Sequence, residues 1–349
     1  MNSSVDVKSS ANNSQEEKAV CPLCLGDKQK RIRNRLRYGV LRDVMSCQGC
    51  GFVFLWPRMG QQETVDFYQK GDYRNVPRER LGLQIHDPED TFRSRMGQAR
   101  HRFALVKPYL SKKISLLEIG CGSGSFLFLV QPHVRKCTAL ELDSTFAAYV
   151  RQKLGIEVLQ EPIGNLSVSR HGAGACAGHG VAEGHQNLIG RRGSGQGGMD
   201  PFDVICMWFV LEHLHDPLAD LKKLRELISD SGILLMLLPN LWDPLLTIYH
   251  SSRYEDFFYQ LPHLNYFSPE TLQMALERCG WDGQIVPVQI YGLSNHLRWI
   301  FLKRPQVQTS KGTIDVWNFP DRIYRKIFAQ RRQTDSLLVI ARPRTKGAI

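Results

Sequence analysis

The feature that most constrains this chain is an alternation of short apolar runs with amphipathic segments, beginning at Ser115 in SLLEIGCGSGSFLFLV. Ser115–Ile119, Cys137–Leu142 and Glu157–Gln160 read as strands, with helices Ser125–Gln131 and Ser144–Leu154 between them. After an interruption the pattern resumes with strand Phe202–Trp208, helix Leu218–Ile228 and strand Ile233–Leu238. Strands that alternate with helices form parallel βαβ units, with helices on both faces of the sheet. The expected fold is α/β, a doubly wound and mostly parallel sheet. Helix Pro269–Arg278 and strands Gln284–Tyr291 and Ser336–Ala341 extend it.

The 349 residues suffice for one large domain and something smaller. Residues 1–20 are polar, lack the apolar core of a signal peptide, and read as a disordered tail. Residues 21–57 hold two cysteine pairs, and 58–106 a polar connector, with a helix expected over Gln98–Leu110. The main domain is expected over 107–345. Its interruption, about 165–200, is glycine-rich and aperiodic, and reads as a floppy surface insertion. It carries His171, Cys176, His179 and His185, residue types that bind metal, in a tract of a kind that seldom holds a defined site. The most apolar run, Ile233–Leu238, is too short to span a bilayer, so a cytoplasmic protein with reduced cysteines is expected.

The glycine turn narrows the ligand. Glycine lets a backbone turn sharply and lets a ligand come close. A phosphate-binding Walker loop requires a Gly-Lys-Ser/Thr ending, and GCGSGS has no lysine. A dinucleotide loop requires G-x-G-x-x-G, whereas Gly120, Gly122 and Gly124 are spaced G-x-G-x-G. Glu118, just before the turn, repels phosphate and favours a cationic ligand.

LLEIGCGSG resembles the first motif of the class I S-adenosylmethionine-dependent methyltransferases, whose cofactor carries a sulfonium and no phosphate. CTALELD ends an apolar strand in Glu141, about twenty residues past the turn, where an acid accepts hydrogen bonds from both ribose hydroxyls of a nucleoside. FDVICMWFVLEHLHDP, GILLMLLPN and PHLNYFSPETL are similar to the family's later segments, in order. The resemblance covers roughly Lys107–Arg342. It implies a Rossmann-like methyltransferase sheet and a cofactor site at Glu118, Gly120, Cys121, Gly122, Gly124, Glu141, Leu142, Trp208 and Phe209.

CPLC and CQGC place Cys21, Cys24, Cys47 and Cys50 in two C-x-x-C knuckles separated by 22 residues. Such knuckles suit tetrahedral zinc, and four sulfurs make a closed, structural site. The expected N-terminal module is therefore zinc ribbon-like. A cysteine-knuckle module ending CGFVFLWP ahead of such a domain resembles enzymes that modify sugars or polysaccharide precursors.

An oxygen acceptor usually needs a base. The candidates are Glu212, His213 and His215, then His263 and Tyr266, with His213 and His263 preferred. No N/D-P-P-Y motif follows the fourth strand, which argues against exocyclic base amines. The expected acceptor is a small molecule, a sugar or glycan precursor hydroxyl. The alternative is RNA, held by the zinc module and the net charge of +11, with Lys28–Arg37 as the segment to test. Residues 315–332 form a basic amphipathic segment that suits either packing on the domain or peripheral contact with a membrane surface.

Overall fold

The structure, a computed structural model, describes residues 18–73, 87–169, 199–303 and 318–345. The N-terminal part contains β1 (Gln29–Arg35), β2 (Leu41–Cys47), β3 (Val53–Trp56), α1 (Gln61–Gln69) and α2 (Pro88–Val106). Then follow β4 (Ser115–Ile119), α3 (Ser125–Val130), β5 (Lys136–Leu140), α4 (Ser144–Leu154), β6 (Glu157–Leu159), β7 (Phe202–Trp208), α5 (Pro217–Leu227) and β8 (Ile228–Pro239). The rest comprises α6 (Pro244–Thr247), α7 (Ser252–Phe258), β9 (Asn265–Tyr266), α8 (Pro269–Arg278), β10 (Trp281–Val288), α9 (Leu293–Leu297), α10 (Asn318–Gln330) and β11 (Ser336–Pro343).

Seven strands form one sheet in the order β10-β11-β8-β7-β4-β5-β6. From β6 to β8 every pair is parallel, and β11 and β10 add antiparallel strands at the β8 edge. The order reverses beside β4, and ligands of open α/β sheets bind at the carboxyl ends of strands flanking such a point. All five residues of β4 are buried, as expected of a strand covered by helices on both faces. Local signals set the helix ends. Asp143 caps α4 by accepting from the backbone of Thr145 and Phe146, and Gly155 ends it at φ 64°. Asp216 caps α5 with Pro217 in the first turn.

Four more strands form a second sheet, β1-β2-β3-β9, all antiparallel. The cysteine segment is therefore joined to the main domain: Val53 pairs with Tyr266 and Phe54 with Asn265. Cys21, Leu23, Phe52 and Phe54 share one buried core with Phe267, Leu272 and Leu276. Arg278 donates to the carbonyl of Leu23, and the Arg58 guanidinium reaches the carbonyl of His215 (2.5 Å) and Oδ1 of Asn265 (3.2 Å).

Several expected boundaries move. The helix expected over Gln98–Leu110 runs from Pro88 to Val106, because Asp87 caps it with Pro88 at its first position. The strand expected over Gln284–Tyr291 is Trp281–Val288, since Asp335 takes the backbone N–H groups of Ile290 and Tyr291 that a neighbouring strand would otherwise pair. In α10, Tyr324 and Phe328 pack inward while Ile323 and Ile327 stay exposed beside Arg322 and Lys326. Most of the glycine-rich insertion, with His171, Cys176, His179 and His185, lies outside the described residues. Its two ends meet, with Val168 bridged to Met199. No helix among the described residues is long and apolar enough to cross a membrane.

Candidate functional site

A cavity of ≈1120 Å³ opens at the carboxyl ends of β4, β5 and β7. This exceeds the usual range for a single small ligand, about 300–1,000 Å³, and leaves room for a donor and an acceptor together.

One wall is the glycine turn. Gly120, Gly122 and Gly124 all take positive φ, at 69°, 53° and 75°. A Cβ on Gly120 would stand 2.7 Å from Val210 Cγ2, so the loop after β7 closes directly over the turn. A Cβ on Gly122 would meet nothing within 4 Å, and Gly122 lines the cavity: bare backbone faces open space. Gly124 stands behind the wall, where a Cβ would press on Val150 and Leu154 of α4. Its role is helix packing.

Glu141 follows β5 and joins this wall. Its Oε2 accepts from Gly122 N (2.7 Å) and its Oε1 from Asp143 N (2.9 Å). A carboxylate oxygen has two acceptor sites, so each oxygen retains one. Burial lifts this carboxyl to about 7, against the backbone N–H groups of Asp143, Gly122 and Leu142 that hold it down. Cys121, Leu142, Trp208 and Phe209 also line the cavity. Phe209 is held at φ 60°, a left-handed backbone that a bulky residue seldom adopts.

Glu118 is placed differently from the expectation. It is only 1% exposed and is not on the cavity wall. Strand alternation turns it away from the ligand, burial drives its pKa well up, and its Oε2 has no hydrogen-bond partner. The nearby cation is Arg102 of α2, lowered to about 10 by burial and held up by Glu118 and Glu212. Arg102 lines the cavity and lies over the Phe209 ring at 5.8 Å.

The base candidates divide. His213 lines the cavity, with Nδ1 2.8 Å from the carbonyl oxygen of Pro262 and 2.8 Å from Tyr68 Oη. Burial lowers its pKa to about 4, so the ring is neutral at pH 7. His215 also lines the cavity, with a buried Nδ1 that has no partner. Glu212, His263 and Tyr266 lie behind the wall. Tyr266 is removed from the set of bases: its hydroxyl is bonded to the Gln260 backbone, and burial raises its pKa far above neutrality.

The opposite wall comes from segments that sequence patterns did not single out. Trp299 stands edge-to-face with Tyr254 (5.2 Å) and beside Phe257 (4.9 Å). Asp243, Gln260, Asn295 and His296 add polar groups to the same wall. Tyr254 Oη donates to Asp243 Oδ2 at 2.6 Å. Arg37 of the cysteine module stacks 3.3 Å from the Phe257 ring centroid and donates to Gln260 Oε1. Tyr68 and Arg102 were likewise missed, because the polar stretch around α1 and α2 carries no clear periodicity; Asp87-Pro88 was its one readable signal.

The four knuckle cysteines converge. Their sulfurs all lie within 4.8 Å of one another, with Cys21–Cys50 at 3.7 Å and Cys24–Cys47 at 3.4 Å, and none forms a disulfide. Sulfurs around a tetrahedral zinc with bonds of about 2.3 Å are about 3.8 Å apart, so this arrangement fits such an ion.

Residues 89–284 match the family described as the methyltransferase domain. The chain belongs to that family. Its members' name states the reaction, and the methyltransferase is therefore an enzyme, with S-adenosylmethionine as the donor that membership supports. No curated protein matches its sequence. Solved structures similar to the methyltransferase include the YcgJ protein of Bacillus subtilis, at 15% identity and TM-score 0.45, covering 71% of this chain and 100% of that one. A SAM-dependent methyltransferase from Archaeoglobus fulgidus is 16% identical, with TM-score 0.45 and coverage of 73% and 97%. The N-methyltransferase NodS of Bradyrhizobium japonicum is 12% identical, with TM-score 0.39 and coverage of 72% and 97%.

Proposed function

We propose that the enzyme methylates a hydroxyl of a sugar or glycan precursor. The observation that carries this reading is the wall formed by Tyr254, Phe257 and Trp299 with Asp243, Asn295 and His296. Aromatic faces cover the apolar faces of a sugar ring, while the polar side chains pair with its hydroxyls.

Bound at the glycine turn, S-adenosylmethionine would supply a methyl group on a positively charged sulfur, with the acceptor oxygen attacking the methyl carbon in line and the sulfur leaving as a neutral thioether. Glu141 holds the ribose hydroxyls with its two remaining acceptor sites. Gly120, Cys121 and Gly122 offer a close backbone surface, and Leu142, Trp208 and Phe209 offer apolar contact. Glu118 and Gly124 support the turn from behind. Much of the rate comes from holding acceptor and methyl in line. The acceptor proton passes to the group around His213. A carbonyl only accepts, so His213 keeps its proton at Nδ1 toward Pro262 and presents a lone pair at Nε2. His263, whose ring is 4.7 Å away, backs it.

A structural zinc at Cys21, Cys24, Cys47 and Cys50 fixes the second sheet, and through β9 the acceptor side. The RNA alternative loses two cations of Lys28–Arg37 to contacts within the protein, while Lys28, Lys30, Arg31 and Arg35 stay exposed. Arg33 pairs with Glu255 and Asp256, and Arg37 is stacked on Phe257. The exposed Ile323 and Ile327 beside Arg322 and Lys326 support an acceptor carried on a lipid at a membrane surface.

Transfer of labelled methyl from S-adenosylmethionine to nucleotide sugars, lipid-linked glycans and RNA tests the reading. Label in a sugar fraction, with Trp299→Ala raising the acceptor KM about tenfold or more, is expected for lost aromatic contact. Label in RNA, with Trp299→Ala without effect, overturns it.

A further inference from the structure

We propose that Glu212, His213 and His263 bind a divalent first-row transition cation, separate from the four-cysteine cluster. One ligand atom from each lies within 4.8 Å of the others. Glu212 is 2% exposed, and neither of its carboxylate oxygens has a hydrogen-bond partner. Leaving a buried carboxylate unmatched is among the most expensive arrangements in a protein. What faces it is another set of lone pairs. The proton of His213 is held at Nδ1 by the Pro262 carbonyl, so Nε2, 3.9 Å from Glu212 Oε1, presents electrons rather than hydrogen. The ring of His263 stands at 79° to that of His213, with centroids 4.7 Å apart.

Glu212, His213 and His263 can each turn a lone pair toward one point, and no hydrogen bond joins any two of them, so a cation fits between them. Ligand atoms around a tetrahedral ion with bonds of about 2.1 Å are about 3.4 Å apart, so the cluster must tighten by about an ångström. The cost at His263 is one hydrogen bond. Gln260 keeps its Oε1 on Arg37 (2.8 Å), so its amide nitrogen is the end that meets His263, 2.7 Å from Nε2. Two imidazoles and a carboxylate suit zinc, iron, cobalt or manganese, whereas the cysteine cluster selects soft thiophilic ions.

Three protein ligands leave coordination positions open, as in catalytic rather than structural sites. His213 also lines the cavity, which connects the ion to the acceptor. In that role, which rests on the proposed reaction, the cation lowers the pKa of a bound acceptor hydroxyl. With His213 Nε2 on the ion, the proton of the bound hydroxyl leaves to water rather than to His213, and the oxygen is then methylated by the donor. The binding itself does not depend on that reading.

The test counts metal. Protein as purified is saturated with Mn2+, a poor partner for thiolates, and total metal per chain is measured by elemental analysis and by electron paramagnetic resonance of the free ion. The wild type is expected to hold one ion more than Glu212→Gln and one more than His263→Asn. Both variants should keep the ion of the cysteine cluster. Equal metal content in wild type and both variants overturns the proposal, and shows the cluster to be a carboxyl that holds its own proton against His213. Calorimetry with S-adenosylmethionine on the same samples reports the donor wall independently. It shows that the variants are folded, and separates failure of the ion from failure of the methyl-transfer reading.

Discussion

The two walls of the cavity are built in opposite ways. The donor wall is mostly backbone: a turn of bare glycines, an acid at the end of the adjacent strand, and two aromatics at the end of another, all on the parallel part of one sheet. The acceptor wall is mostly side chain, gathered from α1, α6, α7, α9 and the turn after it, and braced by a second sheet that begins in the cysteine knuckles. A backbone wall tolerates little change in shape and serves one fixed ligand. A side-chain wall held by a separate sheet can be refitted to a new acceptor without disturbing the donor.

This contrast can be broken first at the knuckles. Binding free energies at structural zinc sites are about 10–16 kcal/mol, and much of that is folding energy. Cys24→Ser is therefore expected to lower methyl transfer at least about a hundredfold while S-adenosylmethionine affinity changes less than about threefold. Rate assays and calorimetry on one preparation check this, and equal losses in both would show the walls to be one unit. Arg58→Met comes next, because it strips hydrogen bonds from the His215 carbonyl and from Asn265, which itself donates to the Leu214 carbonyl (2.7 Å). A cost of about 2 kcal/mol is expected, read in urea unfolding, with transfer suffering more than donor binding.

On the donor wall, Gly120→Ala should cost about 1–2 kcal/mol from its left-handed backbone alone, and more from the clash with Val210. Adding Val210→Ala should recover part of the loss in donor affinity; no recovery would mean that the loop does not close on the turn as described. The donor wall is also tested in pH. Glu141, near 7 without ligand, must ionise to serve as a full acceptor, so donor binding releases a proton. Affinity should be flat above pH 7 and fall by up to about tenfold per unit below it. A flat profile from pH 5 to 8 would exclude Glu141 from the binding step.

The same contrast explains what the sequence revealed. The donor wall was legible because its residues are neighbours in the chain: Gly120 to Gly124 are contiguous, and Glu141 follows at the end of the next strand. Parallel strands covered on both faces also read plainly as apolar runs. The acceptor wall was not legible. Trp299, Tyr254 and Tyr68 are ordinary aromatics in sequence, and contacts between segments far apart in the chain, such as the pairing of β3 with β9 and of Arg37 with Gln260, build their wall. Glu118 misled because charge alone said that it should face a cation. Its place in β4 turns it inward, and Glu141 is the acid that reaches the cavity. Asp335 shows how a single side chain can replace a strand neighbour, which no periodicity announces.

The most direct measurement is titration calorimetry of S-adenosylmethionine into the wild type and Glu141→Ala. Saturable one-to-one binding is expected, about ten- to a hundredfold weaker in the variant, the worth of one or two hydrogen bonds to a charged group. No heat with the wild type, or the same affinity in both proteins, would contradict a donor site built on the glycine turn and Glu141.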